Sequence, residues 1–272
     1  MDLLRAVVLG VVQGLTEFLP VSSSGHLILV PSLFGWDDQG LAFDVGLHAG
    51  TLVALLAYFW RDWATMTFCG LDDLRHHGPS VRRYQQPSRL LLLIVLGSVP
   101  AAVAGLALNG WIEENLRQAW LVALMLIFVG ALMLIADRRS RLDRSLHDLG
   151  VVDAVLVGLA QAVALIPGVS RSGATISTGL VRGLDREAAA RFAFLLGTPA
   201  FAGAALLKFK DLTGDSVDAL DLTVGFLTSA IVGFVVIHFL LGFLRRRSLL
   251  AFVVYRFGLG TLILMLSAFG VL

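Results

Sequence analysis

Gln13 and Glu17 stand four residues apart, and Ser22, Ser23, Ser24, Gly25 and His26 follow closely behind Pro20. On a helix Gln13 and Glu17 share a face, and Gly10 and Gly14 beside them let another backbone come close. A carboxylate inside an apolar segment is costly to bury, which makes Glu17 a functional candidate by default. Hydroxyls, a carboxylate and an imidazole together supply nucleophiles, a base and a proton carrier. His26 is the candidate for proton transfer or attack, because an imidazole titrates near working pH. A helix restarting after Pro20 also points free N–H groups and hydroxyls outward, which makes an anion site. Blander roles exist for the same residues. Glu17 could sit at a water boundary, Gln13 could hydrogen-bond a broken helix end, and serine and glycine also serve close helix packing.

The same pattern returns later in the chain. Aligned without a gap, Gly10 falls on Gly158, Gln13 on Gln161, Val21 on Val169, Ser22 on Ser170, Ser24 on Ser172 and Gly25 on Gly173. The copies differ in charge, with Glu17 against Leu165 and Ser23 against Arg171. One copy supplies an anion and the other a cation whose planar fork matches phosphate oxygens. Two such loops facing each other would suit a diphosphate, with Ser170, Ser172, Gly173 and Thr175 adding donors in the second loop. Packing explains the glycines but not Arg171 beside them. Asp44 and His48 share a helical face and are candidates to support the site, although a helix start would also explain Asp44. His238 and Arg256 lie within apolar runs, and Arg256 is expected to pair internally or to snorkel. Neither has an expected catalytic role.

The elements that must position these residues are transmembrane. Hydrophobic residues make up 57% of the chain and charged ones 15%, with a mean hydropathy of +0.83, so the expected class is an all-α integral membrane protein. The net charge of +1 comes with arginines in short clusters between apolar runs, which excludes a nucleic-acid face. The single Cys69 excludes an internal disulfide and a cysteine-based metal knuckle. Arg5 and the apolar residues after it resemble a leader, but no small-residue cleavage site precedes Gln13, so the segment is expected to stay in the mature protein. Six runs are long enough to span: Leu41 to Trp60, Leu90 to Leu108, Trp120 to Ala136, Ala189 to Leu207, Leu222 to Leu244 and Leu249 to Gly270. At roughly 1.5 Å per residue they reach about 25 to 33 Å. Leu3 to Leu19 and Val151 to Ile166 instead break at Pro-Val-Ser and Pro-Gly-Val-Ser and resume, which predicts two re-entrant helix-loop-helix segments.

Arginine placement predicts the topology. The loop Arg61 to Arg89, the cluster Arg138, Arg139, Arg141 and Arg144, and the cluster Arg245 to Arg247 belong in the cytoplasm by the positive-inside rule. The segments around Glu113 and Glu114, and around Asp211, Asp215, Asp218 and Asp221, fall outside. One re-entrant pair plus three spans makes a repeat with an odd number of crossings, so the halves are expected as inverted repeats. Repeat one covers about residues 1–136 and repeat two about 151–272 of a single membrane domain, joined by the basic loop 137–150. The first hairpin then dips from outside and the second from the cytoplasm, with both termini outside.

The runs Gln13-Gly-Leu-Thr-Glu17-Phe-Leu-Pro-Val-Ser-Ser-Ser-Gly-His26 and Pro167-Gly-Val-Ser-Arg-Ser-Gly-Ala-Thr-Ile-Ser177 closely resemble the two signatures of the undecaprenyl-diphosphate phosphatases, also called bacitracin resistance proteins. The resemblance covers the whole chain in length and span order. It implies removal of the terminal phosphate of undecaprenyl diphosphate in the bacterial plasma (inner) membrane, which recycles the lipid carrier of peptidoglycan synthesis and confers bacitracin resistance. It further implies a site open to the outer, periplasmic side, a divalent cation (Mg or Ca), a polyprenyl diphosphate substrate among membrane lipids, and an inverted-repeat fold, with a homodimer left open. By resemblance Glu17, Ser23, His26 and Arg171 carry the activity, and Glu17 is expected to hold the metal or act as base. Ser22, Ser170, Ser172 and Thr175 are further phosphate contacts, and Gln13, Ser24, Gly25 and Gly173 complete the expected substrate-binding set. The family's first motif takes Glu or Gln before its Glu; Gln13 here leaves Glu17 as the only carboxylate in it. Ser24-Gly25-His26 and Ser170-Arg171 also resemble type 2 lipid phosphatases, but Ser177 stands where that scheme needs its second histidine. The nucleophile stays open between Ser23, His26 and water. A secondary transporter or lipid translocase is the rival reading, since inverted repeats meeting at broken helices would serve it equally, and translocation could accompany hydrolysis.

Overall fold

The computed structural model describes residues 2–36, 40–116, 118–207 and 218–269; Asp211, Asp215 and Gly270 lie outside the described residues. The helices in chain order are α1 (Leu3–Phe18), α2 (Ser23–Phe34), α3 (Leu41–Tyr58), α4 (Trp60–His77), α5 (Gln86–Asn115), α6 (Ala119–Arg139), α7 (Val151–Val163), α8 (Arg171–Val181), α9 (Arg186–Leu207), α10 (Ala219–Leu244) and α11 (Leu250–Ala268). Among the described residues, α6, α9, α10, α11 and the Gln86–Leu108 part of α5 are long and apolar enough to cross a membrane. The α3–α4 pair, bent by 66°, is a sixth candidate span. The chain is an all-α, multi-pass membrane protein.

Both broken segments break where proline and left-handed backbone stop the helix. Pro20 has no N–H to donate and pushes Leu19 into extended backbone (φ −64, ψ 140). Ser22 and Ser170, matching positions of the two copies, both take positive φ, 75 and 70. Gly168, at φ 90, must be glycine twice over, because a Cβ there would also lie 2.5 Å from the Val122 carbonyl oxygen. The break after α1 covers residues 19–22 and the break after α7 covers 164–170.

Three arginine-rich segments gather at one end of the bundle, and the first turns of α9 hold them there. Arg191 bonds Asp62 at 2.7 Å, Arg186 bonds Asp137 at 2.6 Å, and Glu187 takes both branches of Arg245 at 2.6 and 2.8 Å. The second broken pair opens at this same end, where Arg144 and Arg182 both grip Asp153 at 2.6 Å. The first opens at the other end, where the Arg5 guanidinium lies 5.3 Å over the Trp36 ring and Ala6, Leu9, Leu27 and Phe43 pack together. The two breaks meet inside the bundle.

Packing between the halves is reciprocal. α1 lies on α10 and α7 lies on α5; α3 packs on α10 and α9 on α5; α6 packs on α11. Matching glycines make the crossings close. A Cβ on Gly10 would sit 2.8 Å from the Gly225 carbonyl oxygen, and one on Gly158 2.1 Å from that of Gly97. Small residues are how helices approach where no water drives them together.

The expected Arg61 to Arg89 loop is mostly helix. α3 stops at Phe59, and α4 turns away with Met66 and Asp73 buried. Asp73 then closes the hairpin into α5 by accepting from the Gln85 N–H at 2.8 Å and the Ser88 hydroxyl at 2.5 Å. The arginines there mark a bundle end, but they sit on a helix rather than on a loop. α5 likewise runs beyond the expected Leu90 to Leu108 at both ends.

Gly158→Ala forces a Cβ into the Gly97 backbone and should cost at least about 1 to 3 kcal/mol. Gly105→Ala, with nothing within 4 Å, should be neutral. Thermal unfolding in detergent should show a melting temperature lowered by about 3 to 10 °C for the first alone.

Candidate active site

The two breaks build one another's walls. The Gly168 N–H donates to Ser24 Oγ at 3.3 Å, and the Ser172 hydroxyl donates to the Leu19 carbonyl at 3.1 Å. Ser170 caps α8 by accepting the Gly173 N–H at 3.2 Å. Between the loops lies a cavity of about 170 Å³, lined by Thr16, Glu17, Ser22, Ser23, Ser24, His48, Ala164, Leu165, Pro167, Ser170 and Arg171. A larger cavity of about 490 Å³ lies at the arginine-rich end, among Arg61, Gln86, His147 and Arg191, and holds none of the expected site residues.

Glu17 is the centre of the polar wall. Its Oε2 accepts from the Ser23 hydroxyl at 2.7 Å and from the Gln13 amide at 2.9 Å, and His48 Nε2 stands 3.7 Å away. Gln13 is fully buried, so its amide orients the carboxylate from behind rather than facing the cavity, and its Oε1 is left buried without a hydrogen-bond partner. His48 Nδ1 lies 2.8 Å from the Asp44 carbonyl oxygen, which can only accept. Nδ1 therefore carries the proton, and Nε2 is the nitrogen turned toward Glu17.

Arg171 stands at the opposite wall. Its guanidinium lies 3.8 Å over the Phe201 ring, an arrangement worth about 0.5 to 2 kcal/mol. Its Nη1 is buried with no hydrogen-bond partner. A buried guanidinium N–H without an acceptor is costly, and an acceptor placed in the cavity would remove that cost. An anion between Arg171 and the N-terminal turns of α2 and α8 would meet both charge and free donors.

Of the expected site residues, the cavity collects Glu17, Ser22, Ser23, Ser24, Ser170 and Arg171. The others stand behind them. His26 does not line the cavity: Nδ1 lies 2.7 Å from the Ser22 carbonyl oxygen and Nε2 2.7 Å from Tyr255 Oη. Nδ1 thus donates to the carbonyl, and Nε2 in the neutral ring accepts from the tyrosine. Thr175, 1% exposed, gives its hydroxyl to the Arg171 carbonyl one turn back at 2.7 Å. Ser172 is spent on Leu19, Gly173 on the cap, and Gly25 packs 3.4 Å, by its would-be Cβ, from Val122.

Sequence reasoning missed Thr16, Phe201 and Tyr255, none of which carries a local pattern, and it left Arg256 aside. Arg256 is wholly buried and donates to carbonyls of Leu126, Met125, Pro20, Gly168 and Val169 at 2.9 to 3.3 Å. An arginine in the middle of an apolar run was the signal available.

The family model described as "Bacitracin resistance protein BacA" matches residues 6–262. Curated proteins named undecaprenyl-diphosphatase are similar over nearly the whole chain. The one from Moorella thermoacetica is 48% identical over 263 residues, 97% of each chain. That from Rubrobacter xylanophilus is 46% identical over 269 residues, again 97% of each. That from Idiomarina loihiensis is 42% identical over 268 residues, 98% of this chain and 99% of its own. With both signatures meeting at one cavity and the match running through every span, the chain belongs to the bacitracin resistance protein family.

Proposed function

We propose that the chain is an undecaprenyl-diphosphatase that removes the terminal phosphate of undecaprenyl diphosphate. The observation that carries this reading is the pairing across one small cavity of the Ser23–Glu17 hydrogen bond, 2.7 Å, with the partnerless buried Nη1 of Arg171. The first is a nucleophile joined to a base, and the second is a charge waiting for phosphate. Arg171 and the two helix N-termini hold the diphosphate, which is most of what phosphoryl transfer asks of a protein. Ser23 Oγ attacks the terminal phosphorus while Glu17 takes its proton. The bridging P–O bond breaks, and undecaprenyl phosphate leaves with the proton from Glu17, which is a carboxylate again. Water then attacks the phosphoserine phosphorus while Glu17 takes its proton; the Ser23 Oγ–P bond breaks and that proton passes to Oγ, releasing inorganic phosphate and restoring Ser23. His26, with both ring nitrogens engaged behind the loop, orients Ser22 rather than attacking.

A divalent cation fits this site only together with substrate. Among the described residues no group of three or more His, Cys, Asp or Glu could hold a metal ion. One carboxylate with substrate phosphates is nevertheless the habit of Mg²⁺. Glu17 and the Ser23 hydroxyl would hold the ion, and it would supply neutralisation of diphosphate charge. The arrangement of the two broken pairs, opening at opposite ends with reciprocal packing partners, supports re-entrant segments in inverted halves. The arginine-rich end belongs in the cytoplasm of the bacterial plasma membrane. Phe18, Phe59 and Phe194 pack between the cavity and that end, with ring centroids 5.6 and 6.4 Å apart, which supports access from the periplasmic side.

Ser23→Ala should lower kcat by at least about 10³-fold in phosphate release from a long-chain polyprenyl diphosphate by detergent-purified protein. Retention of a tenth of the rate would instead make water the nucleophile. Arg171→Lys keeps charge but loses the fork, and turnover should drop about 100-fold. A chelator should stop release, and cation binding measured calorimetrically should tighten at least tenfold when a non-hydrolysable diphosphate is added. Tight cation binding without it would contradict the shared site.

A further inference from the structure

Arg256 is a buried cation that takes no part in the proposed reaction. It lies on α11, outside both broken segments, is 0% exposed, and donates to backbone carbonyls. Its partners fall in three places. Nε donates to the Leu126 carbonyl on α6 at 3.0 Å, Nη1 to the Pro20 carbonyl in the first break at 3.3 Å, and Nη2 to the Gly168 and Val169 carbonyls in the second at 2.9 and 3.2 Å. A single rigid fork therefore joins both breaks to the bundle. Each held carbonyl within the breaks lies one or two residues from a serine in left-handed backbone, Ser22 or Ser170. Such backbone persists only where surrounding contacts over-determine it.

The neighbour of Arg256 completes the grip. Tyr255 Oη bonds His26 Nε2 at 2.7 Å, and His26 Nδ1 bonds the Ser22 carbonyl at 2.7 Å. The hydroxyl thus reaches the first break through the imidazole. Ser23, the proposed nucleophile, follows Ser22, and Arg171 follows Ser170.

We propose that Tyr255 and Arg256 are positioning residues of the reaction: together they set the distance and orientation of Ser23 in one break relative to Arg171 in the other. Lysine cannot replace the guanidinium, because three donors on a flexible stem do not reach carbonyls in three separate segments at fixed angles. The role differs from simple packing, since what the clamp secures is the register of two loops that meet only at the cavity. Misplacement of reacting groups by about 1 Å is enough to cost about 100-fold in rate.

The inference rests on the phosphatase reading, and its test separates the two. Arg256→Lys, Arg171→Ala, the double variant and Tyr255→Phe are purified in detergent as full-length, monodisperse protein and assayed for phosphate release, with kcat and KM resolved. Arg256→Lys should lower kcat about 100-fold with KM within threefold, because the substrate's contacts survive while the alignment does not. In the Arg171→Ala background the same change should cost less than about fivefold, since the partner it aligns is gone. Fully multiplicative effects, or a kcat within threefold of wild type, would overturn the inference. If Arg256→Lys does not fold, Tyr255→Phe decides: a kcat lowered at least fivefold at an unchanged melting temperature supports the clamp, and an unchanged kcat overturns it. Wild-type protein that releases no phosphate would overturn the phosphatase reading and this inference with it, whereas active wild type beside unaffected variants overturns this inference alone.

Discussion

Two helices stop in the interior of an apolar bundle, and every backbone group they release there must find a partner without help from bulk water. That requirement organises the rest. Local bonds such as Val21 N–H to the Leu19 carbonyl satisfy only part of each break: the Gly168 N–H goes to Ser24, Ser172 also donates to the Leu19 carbonyl, and the carbonyls of Pro20, Gly168 and Val169 go to Arg256. Burying a guanidinium away from carboxylates costs on the order of several kcal/mol unless its hydrogen bonds are met. Five carbonyls meet them here, and each pairing relieves a buried donor and a buried acceptor together.

Satisfying the breaks is also what makes the pocket. While break carbonyls accept from Arg256, the first residues of α2 and α8 line the cavity with Ser23, Ser24 and Arg171. Helix starts of this kind favour anions. Glu17 then reaches Ser23 from one wall while Arg171, stacked on Phe201, offers an unused N–H from the other. The two charges come from different copies of one duplicated sequence pattern and face each other across the cavity.

The frame needs close crossings, which glycine permits. Gly10 and Gly158, matching positions, sit where α1 meets α10 and where α7 meets α5, each with no room for a Cβ. The ion pairs at the arginine-rich end do a different task. α9 fastens three basic segments through Asp62, Asp137 and Glu187, and Asp153 fastens the open end of the second broken pair. On the same side, Phe59 packs on Phe194 and Phe194 on Phe18, the neighbour of Glu17.

Much of this was legible in the sequence. Hydropathy marks five of the spans, the duplication marks the two breaks, and the contrast of Glu17 with Arg171 marks the cavity, because each is a local pattern in residue type and spacing. Periodicity reads which face of a helix is apolar, and proline and glycine read where it stops. What tertiary structure alone decided is which side of each loop a residue faces. His26, Thr175 and Ser172 belong to the same motifs as Ser23 and Arg171, yet they turn away from the cavity to bond Tyr255, their own helix and the opposite break. The bend into α4 and the reach of Arg256 across 236 positions to Pro20 are likewise set by partners far away in the chain. The motif determined what chemistry was available. The folded contacts decided which of those groups line the cavity and which stand behind it, because a hydrogen bond between distant segments leaves no periodic trace in either one.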